Sequence, residues 1–271
     1  VAVSAAGAVT AEVDNKAVAD QTGAEASAGD DSIEAGDGAN TVAGDALATG
    51  DYGIADSNNV ATATGGATAS AGDDTISAND GDDTISGDAL ATGDNGQANV
   101  VNTSSASSTA SAGSDHINAG EGNNLLAGDA MATGLNGSVT LTNEATAGEG
   151  EAHSGDDVIT AGDGSNAIAG EAATMGDISA SNTASTTGGN GSANAGNDTI
   201  TAGNGGNVVT GGVGSLYGSA ELTNDADVSE FGGEARSGND EVRTGTGDDA
   251  IAGDALVFDT SMGGAATANT T

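Results

Sequence analysis

The sequence has no cysteine, no proline and no tryptophan, and only two tyrosines and two phenylalanines among 271 residues. Without cysteine there are neither disulfides nor thiolate metal sites, and the redox compartment leaves no trace. Without large aromatics, any core must be thin and built from small or β-branched side chains. Cationic residues are almost as scarce: Lys16, Arg236 and Arg243 stand against 41 acidic residues, for a formal net charge of −38. That balance disfavours nucleic acid and anionic membrane surfaces as partners. No apolar run is long enough for a transmembrane helix or a signal peptide. The chain opens on Val1 rather than Met, as expected of a processed or truncated product.

What is present is glycine, 47 residues of it, and a repeated phrase. Gly29-Asp-Asp-Ser-Ile33 returns as Gly72–Ile76, Gly113–Ile117, Gly155–Ile159, Gly196–Ile200 and Gly238–Val242, its glycines 43, 41, 42, 41 and 42 residues apart. Such a period marks an array of one supersecondary unit. The chain reads as a single repeat domain over 1–271, with copies near 29–71, 72–112, 113–154, 155–195, 196–237 and 238–271 and a partial copy over 1–28. Nine residues into each copy a second phrase follows: Gly38–Val42, Gly81–Ile85, Gly122–Leu126, Gly164–Ile168, Gly205–Val209 and Gly247–Ile251. Both have the form Gly-x-Asp/Asn-x-aliphatic, a tight turn that feeds a short strand.

Stacking the copies produces two wholly aliphatic columns, Ile33/Ile76/Ile117/Ile159/Ile200/Val242 and Val42/Ile85/Leu126/Ile168/Val209/Ile251. A third, less regular one follows at Leu47, Leu90, Met131, Ala173 and Leu256. Equivalent residues that stay apolar through six copies predict an all-β, parallel β-solenoid of about six repeats, each rung ~4.8 Å above the last. Helix is not expected, because Gly, Thr, Ser and Asn are dense and no 3.6-residue apolar stripe exists. The repeat length fits one coil of about 42 residues or two of about 21, and the sequence leaves both open. Asn15, Asn59, Asn102, Asn143, Asn182 and Asn224 recur at one phase and are expected to form an amide ladder at a corner.

Carboxylates recur at fixed phase as well. The third residue of the first phrase is Asp31, Asp74, Asp115, Asp157, Asp198 and Asp240, preceded by the oxygen donors Asp30, Asp73, Ser114, Asp156, Asn197 and Asn239. Carboxylates ~5 Å apart repel by about 1 kcal/mol in water and ~3 kcal/mol at an effective dielectric of 20, so a bare column would oppose stacking. A hard cation between rungs reverses the sign. Calcium suits best, since it takes six to eight oxygens with loose geometry, whereas magnesium demands a tight octahedron. The second phrase carries only Asp83 and Asp249 at its third position, beside Asp82 and Asp248, among amides at Asn40, Asn124, Asn166 and Asn207. That column is expected to be largely metal-free or weakly occupied. A third acidic column, Asp45, Asp88, Asp129, Glu171 and Asp254, reads as solvated surface charge.

These phrases resemble the RTX (repeat-in-toxin, haemolysin-type) calcium-binding nonapeptide, Gly-Gly-x-Gly-x-Asp-x-aliphatic-x. Ala71–Ser86 and Ala195–Thr210 carry the resemblance best, about two nonapeptides each, and it covers less than half of each repeat. It implies a parallel β-roll or β-solenoid, calcium-dependent folding and export from a bacterium. Family members run many nonapeptides in tandem, whereas here two occur before about 24 residues of other sequence. Ion ligands must therefore come from neighbouring copies.

Catalysis finds no support: His116 and His153 are isolated and read as surface residues, and the paired acids recur where a catalytic site would be unique. The leading expectation is an extracellular or cell-surface structural protein that binds calcium and stacks head-to-tail with itself into filaments or a matrix, because no atypical capping repeat is visible. A calcium-binding module of a larger secreted adhesin or toxin is the alternative. An ice-binding solenoid, using hydroxyls such as Thr62, Thr64, Thr183, Ser185 and Thr187, is a minor one.

Overall fold

A computed structural model describes residues 2–5, 10–21, 23–187, 191–216, 219–228, 234–257 and 266–270. Every regular element among them is a β-strand, and every pairing is parallel. One repeat makes one coil of five strands. In the second coil these are the long strand Ile54–Ala63, an alanine-rich strand Thr68–Ala71, the first-phrase strand Thr75–Ser77, the second-phrase strand Thr84–Ser86 and a third-phrase strand Ala89–Thr92. The next long strand, Gln97–Ala106, lies directly on the first, with Asn102 opposite Asn59. The coil is therefore about 42 residues wide, and the alternative of two coils per repeat is excluded. Equivalent strands of all coils form five sheets, two of seven strands and three of six.

Small side chains dictate this shape. In Gln97–Ala106 inward and outward residues alternate strictly, with Ala98, Val100, Asn102, Ser104 and Ala106 inward. The N-terminal half of each long strand packs its Ala, Val and Leu on the third-phrase sheet, as Val100 and Leu141 do on Ala89 and Ala130. The C-terminal half packs alanine against the alanine-rich sheet, as Ala63 and Ala106 do on Ala69 and Ala110. The first- and second-phrase sheets face each other across the two aliphatic columns read from the sequence, and Ile76, Ile85, Ile117, Leu126, Ile159, Ile200 and Val209 lose all contact with solvent.

Because each column member rests on two others, Ile117→Ala is expected to cost about 3 kcal/mol, the usual range for opening a cavity in a tight core. Chemical denaturation at fixed saturating calcium measures it. A change below 1 kcal/mol would mean that the column does not carry the fold.

Candidate metal centre

The turn that leads into each first-phrase strand separates the paired acids. Asp74, Asp115, Asp157 and Asp198 point inward and are buried to within 2% of complete exclusion, while Asp31 and Asp240, in the outer coils, are half-buried. Their neighbours Asp73, Ser114, Asp156 and Asn197 are half-buried at the periphery, and Asp30 and Asn239 are exposed. The turn before them needs its glycine: Gly113 holds φ at +60°, and a Cβ there would meet Asn143 Oδ1 at 2.4 Å.

Each inward carboxylate is tied to the coil before it through one oxygen. The backbone amides of Asp31, Asp74 and Asp115 donate to Oδ1 of Asp74, Asp115 and Asp157 at 2.6 Å, and those of Asp157 and Asp198 donate to Asp198 and Asp240 at 2.8 and 3.0 Å. The outer column zips the opposite way, as when the Ser114 amide donates to Asp73 Oδ1 (3.1 Å) and the Asn197 amide to Asp156 Oδ1 (2.9 Å). The second inward oxygen is different. Oδ2 of Asp74, Asp115, Asp157 and Asp198 is buried and accepts no hydrogen bond. An unsatisfied buried acceptor is costly, and a charged one more so.

The third acidic column corrects the sequence reading: Asp45, Asp88, Asp129 and Glu171 are not solvated but completely buried, and only Asp254 is half-exposed. The third-phrase strand turns inward against the long strand, which brings this column face to face with the first. Carboxylate oxygens of Asp45, Asp74 and Asp88 all lie within 4.8 Å of one another, and so do those of Asp88, Asp115 and Asp129 and those of Asp129, Asp157 and Glu171. Behind them runs the asparagine ladder. It exists as expected but runs through the interior rather than along a corner, each Nδ2 donating to the next Oδ1 at 2.9–3.1 Å from Asn15 to Asn224. The same amides also hold the third column: Asn59 donates to Asp45 (2.7 Å), Asn102 to Asp88 (2.9 Å), Asn143 to both oxygens of Asp129 (3.2 Å) and Asn182 to Glu171 (2.6 Å).

Backbone oxygen completes the setting. A Cβ at Gly87 would lie 1.7 Å from the free Asp115 Oδ2 and 2.0 Å from the Gly128 carbonyl oxygen, and at Gly128 it would lie 1.8 Å from both Asp157 Oδ2 and the Gly170 oxygen. Glycine thus lets carbonyl oxygens approach the unpartnered carboxylates.

Burial, and behind it mutual repulsion, pushes the carboxyls of Asp88, Asp115, Asp129 and Glu171 well above the ordinary range. Burial likewise raises Asp157 and Asp198, against the hydrogen bonds that they accept, and raises Asp74 to about 9. Asp73 and Asp240, nearer the surface, are raised by burial to about 6. So many carboxylates cannot stay ionised together in a dry interior. They must either hold protons or share cations. The donor set consists of oxygen alone, with unpartnered atoms aimed inward, and it fits a hard divalent ion such as calcium.

The remaining expected ligands fall outside these trios. In the second phrase Asn40, Asp83, Asn124, Asn166 and Asn207 form a second ladder, each backbone amide donating to the next side-chain oxygen at 2.9–3.3 Å. The amide nitrogens of Asn40, Asn124, Asn166 and Asn207 are also bonded, mostly to turn carbonyls. Asp83 Oδ2 alone breaks the pattern by accepting nothing. Asp82 and Asp248 are exposed and Asp249 is half-buried. His116 is exposed, whereas His153 is half-buried and hydrogen-bonded to Asp156 Oδ2 at 2.9 Å, which raises its pKa. The hydroxyls Thr62, Ser105, Thr146 and Ser185 align on the outer face of the long sheet, but Val18 and Asp227 occupy that register in the flanking coils.

Parallel coils with an oxygen-lined interior define a calcium-type β-solenoid. The chain belongs to the RTX calcium-binding nonapeptide repeat family, which matches residues 24–47, 58–89, 108–130, 151–173, 187–215 and 234–255, together more than half of it. The matches take in the third acidic column and Asn59 but leave out the rungs of the long strands at Asn102, Asn143, Asn182 and Asn224. No curated protein and no solved structure matches the chain. Calcium is thus the ion that the family and the donor chemistry both indicate.

Proposed function

We propose that this chain is an extracellular structural protein that calcium folds and that stacks on copies of itself into filaments or a surface matrix, without catalysis. The carrying observation is the set of fully buried carboxylates with unpartnered oxygens, which a coil can retain at neutral pH when cations sit among them. Asp74, Asp115, Asp157 and Asp198 are its principal ligands, with Asp31 and Asp240 in the outer coils. The peripheral donors Asp30, Asp73, Asp156, Asn197 and Asn239 would bind more weakly, because they remain partly solvated. A fold that depends on such sites suits an environment with free calcium near 10⁻⁴–10⁻³ M, the range of extracellular modules.

Stacking is supported by the constancy of the register. Each coil offers the next the same parallel ladder of amides, carbonyls and turn carboxylates, so a coil from a second copy would meet a complementary pattern. Electron microscopy of the purified protein in millimolar calcium, repeated after chelation, tests this. Filaments that dissolve on chelation are expected. Discrete particles in calcium would refute self-stacking and favour a module of a longer secreted adhesin or toxin.

A further inference from the structure

We propose that a cleft between the second-phrase and third-phrase sheets is a binding site for one uncharged alkyl chain, the apolar tail of a neutral amphiphile. It stands apart from the buried carboxylates and from self-stacking. The third apolar column opens it. Leu47, Leu90, Met131, Ala173, Gly214 and Leu256 lie in register, one per coil, on the third-phrase sheet. Where the member is large it closes the space beside the second-phrase sheet: Leu90 and Met131 are buried and packed with Ala43 and Ala127. Two successive coils omit that side chain. Ala173 and Gly214 leave a cavity of about 350 Å³, which Met131 and Leu256 also line, together with Leu125 and Val208 of the second-phrase strands. From Met131 to Leu256 the column climbs three rungs, about 14 Å at ~4.8 Å per rung.

The backbone does not require glycine at this point. Gly214 sits in the middle of the strand Val213–Ser215, outside the left-handed region, and a Cβ there would make ordinary contacts, 3.4 Å to Thr210 Cγ2 and 4.0 Å to Ala169 Cβ. Glycine inside a strand weakens it and often marks a place where a ligand approaches the backbone closely. The side chains missing from these two coils are aliphatic or thioether in the coils that flank them. A single alkyl chain lying across the strands therefore completes the column.

Polarity selects an uncharged guest. No charged residue lines the cavity among the described residues. Its buried hydroxyls are already engaged: Ser215 Oγ donates to the Gly176 oxygen (2.7 Å), Thr210 Oγ1 donates to the Asp254 oxygen (3.3 Å), and Thr174 Oγ1 accepts from the Gly176 amide (3.2 Å). A charged group would find no partner inside, and a carboxylate would also meet the field of a chain with a formal net charge of −38. The volume lies at the small end of the range for small-molecule pockets, and apolar cavities take apolar guests. Met131 and Met175 supply adaptable walls.

Both methionines line the cleft, so their methyl groups report on it directly. The full calcium-loaded chain, labelled with ¹³C-methyl methionine, is titrated with 1-decanol and separately with decanoate. Decanol is expected to shift the Met131 and Met175 resonances and to show intermolecular nuclear Overhauser effects to both, and decanoate to bind at least tenfold more weakly. Ala173→Leu restores a large column member and is expected to weaken decanol binding at least tenfold. Should that variant fail to fold by circular dichroism, Gly214→Leu takes its place, and the Overhauser contacts in the unsubstituted protein test the site without any variant. Methyl resonances that ignore decanol, or that respond equally in a folded Ala173→Leu protein, would overturn the proposal. So would equal binding of decanoate. Resonances that follow protein concentration and not decanol would overturn it by assigning the cleft to a second copy of the chain.

Discussion

Chelating calcium at neutral pH is expected to abolish most of the far-ultraviolet β signal, and acidifying the calcium-free sample to about pH 4 to restore much of it. The buried carboxyls are raised in the folded state, so without metal the fold holds their protons more tightly than the unfolded chain does. That contribution is complete below the unfolded value near 4. It disappears as pH climbs through the folded values, about 6 for Asp73 and Asp240 and about 9 for Asp74. By neutral pH the metal-free fold must keep several acids protonated against solvent or bury their charge, a penalty that exceeds the roughly 5–15 kcal/mol margin of an ordinary domain when the whole interior is counted. Calcium reverses the dependence, because it competes with protons for the same oxygens. In saturating calcium the protein is expected to be most stable near and above neutral pH and to weaken on acidification. Circular dichroism across pH with calcium and with chelator reads both limbs. A calcium-free protein that stays folded at pH 8 would contradict the account.

Asn102→Ala is expected to destabilise the calcium-loaded protein by about 4 kcal/mol and to weaken calcium binding at least tenfold. The Asn102 side chain accepts from Asn59 (3.0 Å), donates to Asn143 (3.1 Å) and donates to Asp88 (2.9 Å), all in a dry interior. Truncation leaves the Asn143 oxygen and one Asp88 oxygen short of a donor, and each buried orphan costs about 1–3 kcal/mol. It also frees the Asp88 carboxylate to rotate, which is why affinity as well as stability should fall: a residue behind a ligand fixes where the ligand points. Asn102→Asp separates the two effects, because it keeps the shape but adds negative charge beside Asp88. That variant is expected to fold only in excess calcium. Calcium titrations followed by circular dichroism measure both, and an Asn102→Ala protein with unchanged calcium affinity would deny the ladder its positioning role.

The period, the two aliphatic columns and the constant aspartate of the first phrase were legible because each repeats one residue type at one phase. Ile33 through Val242 could not stay aliphatic without stacking. Coil width was not legible, since the choice depends on which segments lie over one another and the two halves of a repeat carry different residues. The burial of Asp45, Asp88, Asp129 and Glu171 was missed for a local reason: Gly44-Asp45-Ala46 reads as an exposed turn, and only the approach of the long strand closes over it. A signal was nevertheless present. Asn59, Asn102 and Asn143 occupy the inward phase of strands whose other inward residues are mostly Ala, Val and Leu. A buried amide with two donors requires acceptors opposite, and the recurring acids of the third phrase were unassigned acceptors at a constant phase. In the turn ahead of the first-phrase strand Asp73 stays at the periphery while Asp74 is buried, so the pair does not share one inward site.

The central claim is that cations lie among the buried carboxylates, and anomalous scattering locates them directly. Crystals grown in calcium, measured at long wavelength, should show anomalous peaks in the interior, within coordination distance of inward carboxylates such as Asp74, Asp115 and Asp157. An interior without anomalous density, whether or not peaks decorate Asp30, Asp73 and Asp156 at the periphery, would contradict it.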